Sequence, residues 1–222
     1  SSEKTLVELG IGKTITLTAT DDQGGTSTFT KNVTVKALPP VPSDQYGSVI
    51  AADNPYLYWR LDEASGSVAT DYSRYGNDGT YYGATTLGQS STVAGTDTAV
   101  GLDSNGWVSS DNQFASPSTF TAEAWFNTTY AGGRIIGFSS AKDGTSGNYD
   151  RHVYLNGSGQ LVFGVWAPGA QTITTGSSYN DGHWHQVVAT MGSGGMKLYV
   201  DGVLVGTNGN TSIDPFNGYW KV

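Results

Sequence analysis

The chain has 222 residues, a formal net charge of −8 and a pI near 4.6, a balance that opposes non-specific attraction to nucleic acid or anionic lipid. Its 31 glycines and 7 prolines disfavour a helical protein, while 37% apolar residues suffice for a folded core. The lack of cysteine excludes disulfides, thiolate nucleophiles and thiolate zinc sites together. No stretch reaches the roughly 18 apolar residues of a membrane span, and no basic-then-apolar leader opens the sequence, so an export signal is expected outside it.

The first predicted elements are two alternating Thr- and Val-rich runs, Lys13 to Ala19 and Thr28 to Val35. Between them Asp21-Asp22-Gln23-Gly24-Gly25 has turn chemistry, which makes a hairpin; Asp21 and Asp22 read as turn residues, with a peripheral cation contact as the other reading. Two strands are marginal alone, so the hairpin is expected to belong to something larger. Ala37-Leu38-Pro39-Pro40-Val41-Pro42-Ser43 then favours an extended spacer, placed at residues 39–46. Beyond it, short apolar or alternating runs separated by turn signals predict an all-β sandwich or jelly roll with almost no helix. Phe120, Ala122, Ala124 and Phe126 share one strand face, and Thr121, Glu123, Trp125 and Asn127 the other; aromatics on both faces predict an interior strand. Val153-Tyr154-Leu155 and Leu161 to Trp166 flank Asn156-Gly157-Ser158-Gly159, whose Asn-Gly is expected to supply the positive φ angles of a tight hairpin. Met196 to Val200 turns at Asp201-Gly202 into Val203-Leu204-Val205.

Two family resemblances follow from these residues. Lys13 to Thr28, with its acidic turn, resembles the closing strands of a PKD-type immunoglobulin-like repeat, which implies that residues 1–38 are the tail of such a sandwich. Tyr58-Trp59-Arg60-Leu61-Asp62-Glu63, Asp71-Tyr72-Ser73-Arg74-Tyr75-Gly76-Asn77-Asp78-Gly79-Thr80, Phe120 to Phe126, Asp181-Gly182-His183-Trp184-His185 to Thr190, and Leu198-Tyr199-Val200-Asp201-Gly202 resemble the laminin-G-like, concanavalin A-like jelly roll from residue 47 to 222. The resemblance implies an extracellular or cell-surface accessory module of a larger bacterial polypeptide. It also implies a first strand at Tyr56 to Leu61 that pairs with a last strand carrying an Ile-Asp-Glu motif. That motif is not in the sequence, so an open edge beside Tyr58 and Trp59 is expected.

His183-Trp184-His185 places two imidazoles at alternate positions, yet no third metal ligand stands at a recognisable spacing, and packing with hydrogen bonding is the favoured reading. Glycoside hydrolysis needs two carboxylates about 5 to 10 Å apart. Glu123 has no identifiable partner, and no nucleophile elbow or phosphate-binding loop occurs, so no catalytic residue is assigned. Asp62, Glu63, Asp71, Asn77 and Asp78 form the candidate set for one Ca²⁺, which takes about six to eight oxygens; loops of laminin-G-like relatives raise that expectation. Asp103-Ser104-Asn105-Gly106 is a second short acidic turn. Arg134, Tyr149, Asp150, Arg151, His152 and Trp166 combine aromatic faces with planar polar donors, as sugar recognition requires. The expected function is a non-catalytic module that binds a glycan or a cell-surface protein. The alternatives are part of a polysaccharide-degrading enzyme and a structural spacer in a surface adhesin.

Overall fold

The computed structural model describes residues 13–33, 37–91 and 97–222. Residues 1–12, the remainder of the expected sandwich tail, and Val35 lie outside the described residues. The chain divides into two compact units, Ser1–Pro40 and Val41–Val222. In the first, β1 (Lys13–Thr20) and β2 (Thr26–Val33) form an antiparallel hairpin with Thr20 opposite Thr26. Asp21 holds its turn: one carboxylate oxygen accepts from the Gln23 and Gly25 amides at 3.0 and 2.6 Å.

The second unit begins inside the Pro-rich stretch. Pro42 is buried, and Asp44 caps a helix, α1 (Gln45–Ala52), by accepting from the Gly47 amide at 2.7 Å. This helix begins inside the spacer expected at residues 39–46, and its Gly47, Val49 and Ile50 are poor helix formers. Tertiary contact supplies what propensity lacks: Arg60 donates to Asp44 at 2.7 Å and lies so close to Gly47 that a Cβ there would sit 2.5 Å from the guanidinium.

Eight strands form the larger sheet, in the order β12 (Ala170–Ser178), β11 (Gln160–Trp166), β10 (Tyr149–Leu155), β9 (Arg134–Ser139), β16 (Tyr219–Lys221), β7 (Trp107–Ser110), β4 (Gly79–Tyr82) and β3 (Val68–Ala69). Four form the smaller, in the order β15 (Val203–Asn208), β14 (Gly195–Val200), β13 (Trp184–Gly192) and β8 (Phe120–Asn127). A two-stranded ribbon pairs β5 (Thr85–Ser90) with β6 (Thr98–Leu102). The main core lies between the two large sheets. Val153, Leu155, Leu161, Phe163, Val165 and Ile173 face Val187, Ala189, Met191, Met196, Leu198 and Val200, each side supplied by alternate strand positions. The protein is nearly all β, as composition and turn spacing predicted.

Three local expectations are corrected. The strand β8 lies at an edge of its sheet, and its outer-face aromatic, Trp125, stays exposed and donates through its indole N–H to the Tyr46 hydroxyl of α1 at 2.9 Å. Tyr56 to Leu61 is not a strand: it makes one isolated bridge, Trp59 with Asp71, and Leu61 turns the chain with φ at +59°. In the β10–β11 hairpin the left-handed residue is Gly159, with φ at +75°, instead of Asn156 or Gly157. Asn156 acts through its side chain, accepting from the Ser158 and Gln160 amides, so the loop is a wider turn than a two-residue hairpin. At β14–β15, Asp201 and Gly202 both have positive φ, 51° and 78°, which is the tight turn expected of Asp-Gly.

Candidate functional site

The acidic set proposed for calcium folds into a hydrogen-bonded knot around Asp71. Fully buried, Asp71 accepts from the Tyr58, Ser73 and Asn77 amides at 2.8, 2.9 and 2.6 Å and from the Ser73 hydroxyl at 2.6 Å. Glu63 accepts from the Thr70 amide and the Tyr81 hydroxyl, and Asp78 from the Asp71 amide. Asn77 spans Tyr56 and Asn112, while Asp62 pairs with Arg60. A calcium ion needs lone pairs, and here they are directed at N–H and O–H donors. Among the described residues no three His, Asp or Glu side chains gather to hold a metal. The set as folded does not fit the ion.

A different polar group collects on the face of the eight-stranded sheet that points away from the core. Strand register places Thr80, Ser109, Lys221 and Gly137 in one row across β4, β7, β16 and β9, with Tyr82 and Trp107 paired in the next. The Tyr82 and Trp107 rings stack, 5.2 Å between centroids and 10° between planes, and the Lys221 ammonium lies 6.0 Å from the Trp107 ring. Gly137 is what lets β10 contribute. A Cβ there would lie 2.4 Å from the His152 ring and 2.7 Å from the Arg134 side chain, so both side chains cross the strand over the bare glycine. Tyr149 stacks on His152 at 5.5 Å and 11°.

This floor carries polar atoms that the protein does not satisfy. Trp107 Nε1, Ser109 Oγ and His152 Nε2 are buried without a protein hydrogen-bond partner, and the only other such side-chain atom among the described residues belongs to Arg151. Each buried unpaired group costs about 1 to 3 kcal/mol. Burial, and then the Arg134 charge, lower the His152 pKa to about 4, so the ring is neutral near pH 7. The Lys221 ammonium, on a residue only 4% exposed, is pushed below its ordinary range by burial and then by Arg134, with Asp143 opposing.

A profile described as the concanavalin A-like lectin/glucanases superfamily matches residues 102–221, which hold Trp107, Ser109, Arg134, His152 and Lys221. The chain belongs to this superfamily. No curated protein matches it. Among solved structures it is similar to the carbohydrate binding module CBM66 from Bacillus subtilis, at 15% identity and TM-score 0.34, over 53% of this chain and 73% of that one. It is also similar to LamAcat from Zobellia galactanivorans, at 11% identity and TM-score 0.31, over 76% of this chain and 84% of that one.

Of the six residues singled out for sugar recognition, this concanavalin A-like domain brings Arg134, Tyr149 and His152 together on the outer face, and strand alternation puts Trp166 on the same face at the end of β11. Asp150 and Arg151 turn the other way. A bulge with Arg151 at φ +55° aims the guanidinium into the interior, 4.7 Å from the Phe138 ring and 5.4 Å from that of Phe216. There it donates to the Pro117 and Asp214 carbonyls, and Asp150 accepts from the Arg151, Trp166 and Asp214 amides. The pair fastens two loops to the sheet. Sequence reasoning missed Tyr82, Trp107, Ser109 and Lys221. Alternation in Trp107-Val108-Ser109 and Tyr219-Trp220-Lys221 was visible, but their common face depends on β16 entering between β9 and β7.

The remaining candidates have structural partners. Glu123 lies on the outer face of the smaller sheet and accepts from the Tyr46 hydroxyl and the Gln186 amide, both at 2.7 Å; burial and the Glu123 charge push the Tyr46 hydroxyl up. His183 precedes β13. His185 lies between Asp201, at 2.8 Å from Nδ1, and Asp181, at 3.1 Å from Nε2. Burial lowers its pKa, and the two carboxylates, Asp201 first, more than offset this and leave it raised. Two shallow depressions, beside β5 and β6 and between the ends of β8 and β14, gather neither stacked aromatics nor paired charges.

Proposed function

We propose that this chain is a non-catalytic carbohydrate-binding module of an extracellular protein, and that its glycan lies across the outer face of the eight-stranded sheet. One observation carries the reading: on a single face, stacked Tyr82 and Trp107 adjoin Lys221, Arg134 and His152 over three buried, unsatisfied polar atoms. Aromatic faces match the apolar faces of pyranose rings, and nearby donors fix their hydroxyls. Membership of a superfamily named for lectins and glucanases supports the same class. No helix among the described residues is long and apolar enough to cross a membrane.

The test is a glycan array followed by titration calorimetry on the 222-residue chain. Trp107→Ala is expected to weaken glycan binding about tenfold or more, since an aromatic platform contributes on the order of 1 to 2 kcal/mol. Binding that survives this change and the Tyr82→Ala change unaltered would place the ligand elsewhere. Capture of a cell-surface protein with no glycan retained would favour the protein-ligand reading, and no ligand of either kind the spacer reading.

A further inference from the structure

We infer that the glycan group seated beside Lys221 and Arg134 is anionic, a carboxylate or a sulfate of an acidic polysaccharide. The inference rests on the outer face being the glycan site and adds the chemical class of its ligand. Lys221 and Arg134 form no ion pair among the described residues, although the chain has 19 acidic side chains for 11 basic ones. The other aspartates and glutamates with nearby cations are matched: Arg60 is ringed by Asp44, Asp62 and Asp97, and Arg151 by Asp150. Lys31, Arg74 and Lys197 also lack an ion pair among the described residues but lie exposed; Lys221 is buried within reach of the Arg134 charge, and that repulsion has a cost that a bound anion removes.

The surroundings of the pair agree. Lys142 also borders this face, but it is bound to Asp111 at 2.6 Å, and that carboxylate oxygen accepts from Thr80 as well, at 2.6 Å. His152, between Arg134 and Tyr149, is neutral near pH 7 and can offer a ring N–H. Asp143 is the remaining acidic group felt at Lys221. Counting Lys142 with Asp111 as neutral leaves two cations against one carboxylate on a face whose floor holds spare donors, Trp107 Nε1 and Ser109 Oγ. Carboxylate and sulfate oxygens are the acceptors that such a set of donors recognises best, because charge-assisted hydrogen bonds are about twice as strong as neutral ones.

The experiment titrates the full chain at physiological salt with polygalacturonate, dextran sulfate and neutral dextran, and repeats it with Lys221→Met, Arg134→Gln and Lys197→Met. Lys197 stands exposed on β14 in the other sheet and carries the same charge change as a control. One acidic polymer is expected to bind at least about tenfold more tightly than dextran, with Lys221→Met and Arg134→Gln each losing about tenfold and Lys197→Met leaving affinity unchanged. Which polymer binds distinguishes carboxylate from sulfate. Dextran bound as tightly as either acidic polymer, in a Trp107-dependent way, would overturn the anionic ligand and leave the glycan site standing. Equal losses from Lys197→Met would reduce the effect to overall charge and overturn it too, as would failure of both acidic polymers to bind. Arg134 is exposed, so its variant keeps the test valid should Lys221→Met fold poorly.

Discussion

The knot around Asp71 and the outer face around Trp107 and Lys221 are both polar, both in the second unit, and opposite in their accounting of hydrogen bonds. At Asp71 four donors converge on one buried carboxylate, and its neighbours Glu63, Asn77 and Asp78 are spoken for by the same few loops. On the outer face three buried polar atoms have no protein hydrogen-bond partner, and Lys221 and Arg134 have no ion pair among the described residues. The acidic residues close in sequence are fastened to one another and to nearby amides. The residues that look outward were scattered over four strands. Asp71 is held by the donors around it, whereas Trp107, Ser109 and His152 keep polar atoms that no protein group satisfies.

The largest effect expected from this contrast is at Asp71. Asp71→Ala leaves the Tyr58, Ser73 and Asn77 amides without an acceptor and is expected to cost about 3 to 5 kcal/mol in urea unfolding. A cost below about 1 kcal/mol would break the structural reading of the knot. Ser109→Ala sharpens the other side. Its hydroxyl is buried without a partner, so removal is expected to stabilise the free protein by up to about 1 kcal/mol while weakening glycan binding.

A third prediction concerns acid. The folded pKa of His152 is lowered to about 4, so the unfolded chain binds its proton first, and this residue's contribution fades as pH falls from about 6.5 toward 4. Thermal melts of His152→Gln, set against the parent across that window, are expected to show a flatter decline. Identical slopes would mean that the ring is as solvated folded as unfolded. The smallest effect is at the metal-like set: melting in EDTA and in millimolar Ca²⁺ should coincide, and stabilisation by Ca²⁺ would return those carboxylates to the list of cation ligands.

What could be read in advance was local. Asp21 in the first turn and Asp201-Gly202 between β14 and β15 act through residues adjacent in sequence, and the chain folds there as their chemistry dictates. Alternation in Phe120 to Asn127 gave the strand and its two faces. Its place at the sheet edge was not readable, because the hydrogen-bond partner of Trp125 is Tyr46, on a short helix held by Asp44 and Arg60. The same holds for the site. Arg134, Tyr149 and His152 stand close in sequence on the paired strands β9 and β10, whereas Lys221 and Trp107 join them only through pairings between distant segments, which no window of sequence displays.

The strand β16 has a kinetic meaning as well. Only its three residues link β9 to β7 within the large sheet, so until they dock the sheet exists as two separate pieces, one running from β12 to β9 and the other from β7 to β3. The contact between Trp220 and Ser110 spans 110 positions in the sequence, and closing a loop of that length belongs to the slow part of folding. Lys221 arrives with this wedge. In a refolding experiment, recovery of glycan affinity should therefore lag the appearance of the β10–β11 and β14–β15 hairpins and follow the final closure of the sheet.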